Sequence, residues 1–225
     1  MARRPRIETL VLDLDGTLID SVPDLGDAVN AVLLAEGLAP VGARELRRFV
    51  GEGAQRMVEQ AVDYRGGAID RGAIERHMQV FRDAYRQCCT RKTHLYKDVA
   101  ETLRQLAGDG YRLALCTNKP TEPSLAILKA CRIDSLFAAV ICGDTFAVRK
   151  PDPLCVTEAI ARSGGRIEAA AMIGDSRHDV KAAHAARVPA IVVSYGYSDV
   201  PVESLGADAI IGGFGELPHA LRTLA

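Results

Sequence analysis

The sequence predicts a Rossmann-like doubly wound α/β fold, a parallel sheet core with an inserted all-helical cap domain. Two observations predict it. From about Leu95 onward, short apolar β-rich runs alternate with helix-length stretches, the rhythm of parallel strands joined by crossovers on both faces. Between the first apolar run and Leu95 that rhythm stops, and only helical spacing remains. At 225 residues the chain is long enough for a core domain and a smaller insertion.

In chain order, residues 7–12 read as a first strand, apolar enough to be central. Residues 23–37 carry Leu25, Val29, Val32 and Leu33 at helical intervals, residues 43–64 continue in the same vein, and in 69–88 Ile74, Met78, Phe81 and Tyr85 repeat the pattern. No convincing strand interrupts them. The later strands are expected at 112–116, 139–142, 170–173, 190–193 and 209–211, with helices at 99–109, 122–131, 153–163, 178–186 and 216–224. The core is thus expected over residues 1–18 and 93–225 and the cap over 19–92.

Composition narrows the function classes. The chain is 48% apolar and 25% charged, with 28 basic and 29 acidic residues and a formal net charge of −1. That balance gives no general electrostatic reason to bind nucleic acid or an anionic membrane. The basic opening through Arg6 lacks the apolar core of a signal peptide and reads as a solvated terminus. No apolar run approaches a membrane span. The six cysteines contain no Cys-x-x-Cys and no Cys/His cluster, so reduced thiols in a cytoplasmic protein are expected.

The chemistry-bearing residues gather at strand ends. The first strand runs into Asp13-Leu-Asp15-Gly-Thr17-Leu18, with two carboxylates at the carboxyl edge of the sheet, where ligands bind in this architecture. Asp-Gly is also a common turn pair. The strand at 112–116 ends in Thr117-Asn118-Lys119-Pro120, whose hydroxyl and amide suit a phosphoryl oxygen but equally suit helix capping. Lys150-Pro-Asp-Pro153 offers a point charge for an anion. The strand at 170–173 delivers Gly174-Asp175-Ser176-Arg-His-Asp179, with Asp179 one helical turn beyond Asp175. Carboxylates at strand ends make an oxygen-rich site for a hard cation such as Mg²⁺. Four such features in this order exceed what capping explains.

With these motifs in place the chain resembles the haloacid dehalogenase superfamily, within it the capped phosphatases, and over essentially its whole length from Asp13 to the last helix. Ser194-Tyr-Gly-Tyr197 looks like the phosphoglycolate phosphatase branch, whereas Lys97-Asp98 departs from the Pro-Gly that many relatives carry on returning from the cap. The resemblance implies that Asp13 attacks phosphorus and Asp15 serves as acid and then base. It implies phosphate binding by Thr117, Asn118 and Lys150. It also implies a Mg²⁺ site from Asp13, Asp175 and the backbone carbonyl of Asp15, with Ser176 behind them and Asp179 placed to hold a metal-bound water or Lys150. In the cap, Gly51, Glu52 and Arg56 resemble the family's specificity loop; a plain turn with a solvated Arg56 is the competing reading. The implied substrate is a small phosphate ester, 2-phosphoglycolate first. β-Phosphoglucomutase-like, nucleotide and pyrophosphate activities share the scaffold. A dehalogenase would not need an acid at Asp15, and a non-catalytic binding protein would tolerate loss of the motifs. Monomer and homodimer stay open.

Overall fold

The computed structural model describes residues 6–51, 53–68 and 72–224, and the chain divides into two compact units. One runs up to Ile19 and resumes at Leu95; the other is Asp20–His94.

The larger unit is built on a six-stranded parallel sheet. Its strands are β1 (Thr9–Leu12), β4 (Arg112–Cys116), β5 (Phe137–Ile141), β6 (Ala170–Gly174), β7 (Ala190–Val193) and β8 (Ala209–Ile211), in the order β5-β4-β1-β6-β7-β8. β2 (Ile19–Asp20) and β3 (His94–Leu95) form a separate two-stranded ladder. These two-residue strands carry no periodicity, which is why the sequence does not announce them.

β1 is the middle of the sheet, and all four of its residues are buried. Leu10 and Leu12 face one layer and Val11 the other, the period-two alternation of a strand covered on both sides. The first layer joins Leu113, Leu115 and Ile173 to α5 (Val99–Gly108), α6 (Thr121–Ala130) and α9 (Leu217–Leu224). The second joins Val11, Ala114 and Met172 to α7 (Pro153–Arg162) and α8 (Arg177–Ala185). The sheet is therefore doubly wound.

Register positions the site. Leu12 lies opposite Leu115 of β4 and opposite Ile173 of β6. The residues that follow each of these leave the sheet side by side at its carboxyl edge. The chain departs from β1 to β4 on one flank and reaches β6 on the other, a topological switch point with its crevice.

The smaller unit is helical: α1 (Val22–Ala35), α2 (Ala43–Arg47), α3 (Ala54–Tyr64) and α4 (Ile74–Cys88). The single helical stretch expected at 43–64 is broken between α2 and α3. Gly51 and Gly53 have φ of 128° and 96°, values outside the helical region and open to glycine. Asp24, fully buried on α1, accepts from the backbone N–H groups of Lys92 (3.0 Å) and Thr93 (2.7 Å), so a buried charge is satisfied while the end of the unit is tied to α1. All six cysteines are free. Among the described residues no helix is long and apolar enough to cross a membrane.

Leu10→Ala is expected to lower the unfolding free energy by about 2–5 kcal/mol, because a fully buried leucine in the middle strand leaves a cavity. Urea denaturation should show a lower midpoint at unchanged slope. A loss well under 1 kcal/mol would mean that β1 is not the centre of the cooperative core.

Candidate active site

Past β1, Asp13 continues the ladder for one residue, its N–H donating to Ile173 O at 2.9 Å. The chain then folds back, with Leu14 O accepting from the N–H groups of Leu18 (2.9 Å) and Ile19 (3.1 Å). Gly16 makes the turn at φ 82°, and a Cβ there would lie 2.2 Å from Asp175 Oδ2. Both the backbone angle and the close approach require glycine. The buried Thr17 hydroxyl donates to Asp175 Oδ1 at 3.4 Å, and the Tyr195 hydroxyl donates to Thr17 O at 2.7 Å.

Lys150 is the hub. Its ammonium, 2% exposed, lies 2.8 Å from Asp13 Oδ1 and 2.6 Å from Asp179 Oδ1. Asn118 fixes its main chain, donating from Nδ2 to Lys150 O (3.1 Å) and accepting from Lys150 N at Oδ1 (3.0 Å). At least one side-chain hydrogen of Asn118 is thus spent on holding Lys150. Two residues on, Asp152 caps α7 by accepting from Leu154 N at 2.9 Å.

The β6 end supplies the remaining carboxylates. Asp175 Oδ2 accepts from Tyr197 N at 2.6 Å. Ser176 is the N-cap of α8 and forms a capping box with Asp179, whose Oδ2 accepts from Ser176 N (3.1 Å) and Ser176 Oγ (2.7 Å). One Asp179 oxygen therefore closes the helix and the other holds Lys150.

From β4, Thr117 is buried and its Oγ1 accepts from Lys119 N at 3.1 Å. Lys119 is a site residue that the sequence reading passed over. Its ammonium donates to both oxygens of Asp15, at 3.0 and 3.2 Å, and its side chain is 4% exposed. The signal was available: a Lys followed by Pro at a strand end, on the same sheet edge as the carboxylates.

Oxygens of Asp13, Asp175 and Asp179 converge to within 4.8 Å of one another, all three residues buried. Burial raises Asp13 to about 7, with Lys150 opposing and Asp179 and Asp15 adding to the rise. Asp175 is pushed up as well, by burial first and then by Asp179 and Asp13. Burial pulls Lys150 down, but Asp13 and Asp179 more than reverse it, so Lys150 ends above its ordinary value. Among these described residues, the four carboxylates Asp13, Asp15, Asp175 and Asp179 outnumber the two ammonium groups of Lys119 and Lys150 by two. An oxygen-only donor set with that excess fits a hard divalent cation such as Mg²⁺.

Of the cap candidates, Gly51 is in the turn before α3 and Arg56 is in its first turn, ion-paired with Glu59 at 3.3 Å and 54% exposed. Glu52 lies outside the described residues.

A parallel sheet whose carboxyl edge gathers carboxylates and buried lysines defines an α/β enzyme that handles an anionic group. The family model of haloacid dehalogenase-like hydrolases matches residues 10–193. Phosphoglycolate phosphatases of Agrobacterium fabrum and Caulobacter vibrioides are 38% and 39% identical, covering 98% and 96% of this chain and 95% and 91% of their own. The crystal structure of a predicted phosphoglycolate phosphatase from Haemophilus somnus superposes with a TM-score of 0.90 at 29% identity, over 95% of this chain and 97% of that one. The chain belongs to the haloacid dehalogenase-like hydrolase family. It is a phosphatase of the phosphoric monoester hydrolase class.

The carboxylate cluster has a pH signature. Asp13 is raised in the fold, so its contribution to stability is fully present below its unfolded value near 4 and is lost as pH rises through about 7. In chelator, the stability of the wild type should therefore fall relative to Asp13→Asn across that window. Cation binding requires the ionised carboxylates, so Mg²⁺ should raise the melting temperature more at about pH 8 than at about pH 5.5. Equal Mg²⁺ shifts at both pH values would refute the linkage.

Proposed function

We propose that the chain hydrolyses a small phosphate monoester, 2-phosphoglycolate, to glycolate and phosphate through an aspartyl-phosphate on Asp13, with Mg²⁺ as cofactor. The names of its relatives support the substrate, and the free cysteines support a cytoplasmic setting. The observation that carries the chemistry is the 2.8 Å contact of Lys150 with Asp13, a carboxylate at the edge of the central strand with an anion-binding cation beside it.

In the first step an Asp13 oxygen bonds to phosphorus, the ester P–O bond breaks, and Asp15 gives its proton to the departing alkoxide. In the second, Asp15 takes a proton from water as the water oxygen bonds to phosphorus. The acyl-phosphate P–O bond then breaks and restores the Asp13 carboxylate. Phosphoryl transfer passes a loose, charge-rich transition state, so most of the work is positioning and neutralisation. Lys150 and the Thr117 hydroxyl bind phosphoryl oxygens, and Asn118 keeps Lys150 in register. Mg²⁺, held by Asp13, Asp175 and the Asp15 carbonyl, would supply positive charge to the same oxygens. Ser176 and Asp179 support that set from the start of α8. In the cap, Gly51, Glu52 and Arg56 belong to this proposal as contacts for the leaving group.

Asp13→Asn is expected to abolish turnover, since an amide does not replace the attacking carboxylate. Asp15→Asn should still bind Mg²⁺ and phosphate while turnover slows by about 10²–10⁴-fold. Purified enzyme assayed with Mg²⁺ against a panel of phosphate monoesters should favour 2-phosphoglycolate, and excess chelator should stop the reaction. Near-wild-type turnover by Asp13→Asn would sink the covalent route, and full activity in chelator would sink the metal.

A further inference from the structure

We propose that Lys119 is the specificity-determining cation of this site: it binds the carboxylate on the leaving group of the substrate. The inference rests on the phosphatase reading above and deepens it by assigning the leaving-group anion to a residue of the core unit.

Among the described residues, Lys119 and Lys150 are the two buried lysines. Lys150 is committed between Asp13 and Asp179, on the nucleophile side. Lys119 lies on the other carboxylate, 3.0 and 3.2 Å from the oxygens of Asp15. In the reading above Asp15 hands its proton to the ester oxygen, so that oxygen comes within hydrogen-bond distance of the Asp15 carboxylate. The partner of that carboxylate is then a close neighbour of the leaving group. In 2-phosphoglycolate the carboxylate is one methylene from the ester oxygen. An ammonium already seated against Asp15 is within reach of it, whereas Lys150 is occupied by the phosphoryl end.

Lys119 is also held in place, as a recognition group must be. Its N–H donates to Thr117 Oγ1 at 3.1 Å and its carbonyl accepts from Gly143 N at 2.8 Å. A Cβ at Gly143 would lie 2.1 Å from Asn118 O, so the two loops pack backbone to backbone around this residue. A neutral leaving group would leave the Lys119–Asp15 pair as it is; an anionic one brings its own acceptor to a desolvated ammonium. A charge in that setting is worth far more than one on the surface.

The test measures kcat/KM on 2-phosphoglycolate, 2-phospholactate and ethyl phosphate for the wild type, Lys119→Gln, Lys119→Arg and Arg56→Ala. Glutamine keeps a donor for Asp15 but removes the charge; arginine keeps the charge. The ratio of either carboxylated ester to ethyl phosphate should fall at least about 30-fold in Lys119→Gln. Lys119→Arg should recover most of it, since its fork also pairs with carboxylates. Equal losses on all three esters would make Lys119 a support for Asp15 alone and overturn the proposal. So would a ratio that falls in Arg56→Ala and holds in Lys119→Gln. If Lys119→Gln gives no cooperative thermal transition, Lys119→Arg decides: a folded variant without carboxylate preference overturns the proposal. A wild type that prefers 2-phospholactate to 2-phosphoglycolate would displace the substrate named above while leaving the role of Lys119 intact. One with no preference for carboxylated esters would remove both.

Discussion

A buried ammonium shared by two buried carboxylates organises the catalytic edge of this protein. Lys150 lies between Asp13 and Asp179 with almost no exposure to solvent. Three charges removed from water are tolerated only when each is paired and hydrogen-bonded. The neighbouring structure meets that condition. Asn118 clamps the Lys150 main chain, Asp179 divides its oxygens between Lys150 and the start of α8, and Asp13 N–H is tied to the end of β6. Removing Lys150 would leave Asp13 and Asp179 facing each other without compensation. The segments that follow β1, β4, β5 and β6 therefore meet at one residue, Lys150.

The same arrangement separates the two aspartates of the first motif. Asp13 and Asp15 are one residue apart from being neighbours, yet each faces its own lysine, Lys150 and Lys119 respectively. Position on the sheet edge explains this. Asp13 extends the central strand with its N–H tied to the end of β6, while Asp15, just before the turn at Gly16, meets Lys119 from the loop after β4. Two carboxylates with different partners can take different roles in one reaction, a nucleophile and a proton carrier.

Burial pushes Asp13 and Asp175 up, and the neighbouring carboxylates add to the rise. Such a cluster is unfavourable for folding and is kept where function needs it. In the helical unit, by contrast, the buried Asp24 is quenched by backbone N–H groups and serves the fold.

Much of this was legible in the sequence because it is local. Strand-length apolar runs, helix-length amphipathic runs and the turn residues between them are set by period and backbone preference, so β4, β7 and β8 fall at the expected residues. Asp13, Thr117, Lys150 and Asp175 could be singled out because strand ends in a parallel sheet share one edge. The two-residue strands β2 and β3 are too short to carry a period, whereas the break between α2 and α3 falls where Gly51 suggests a loop. Of the charge pairs, Asp179 with Lys150 could be named from the motifs only as one option, and Lys119 with Asp15 could not. Whether Lys119 faces solvent or Asp15, and whether Asp179 caps a helix or also grips Lys150, depends on register across β1, β4 and β6. The sequence by itself determined which chemical groups reach the sheet edge. Only the tertiary structure decided which of them touch, because ångström-scale contacts between residues far apart in the chain follow from packing.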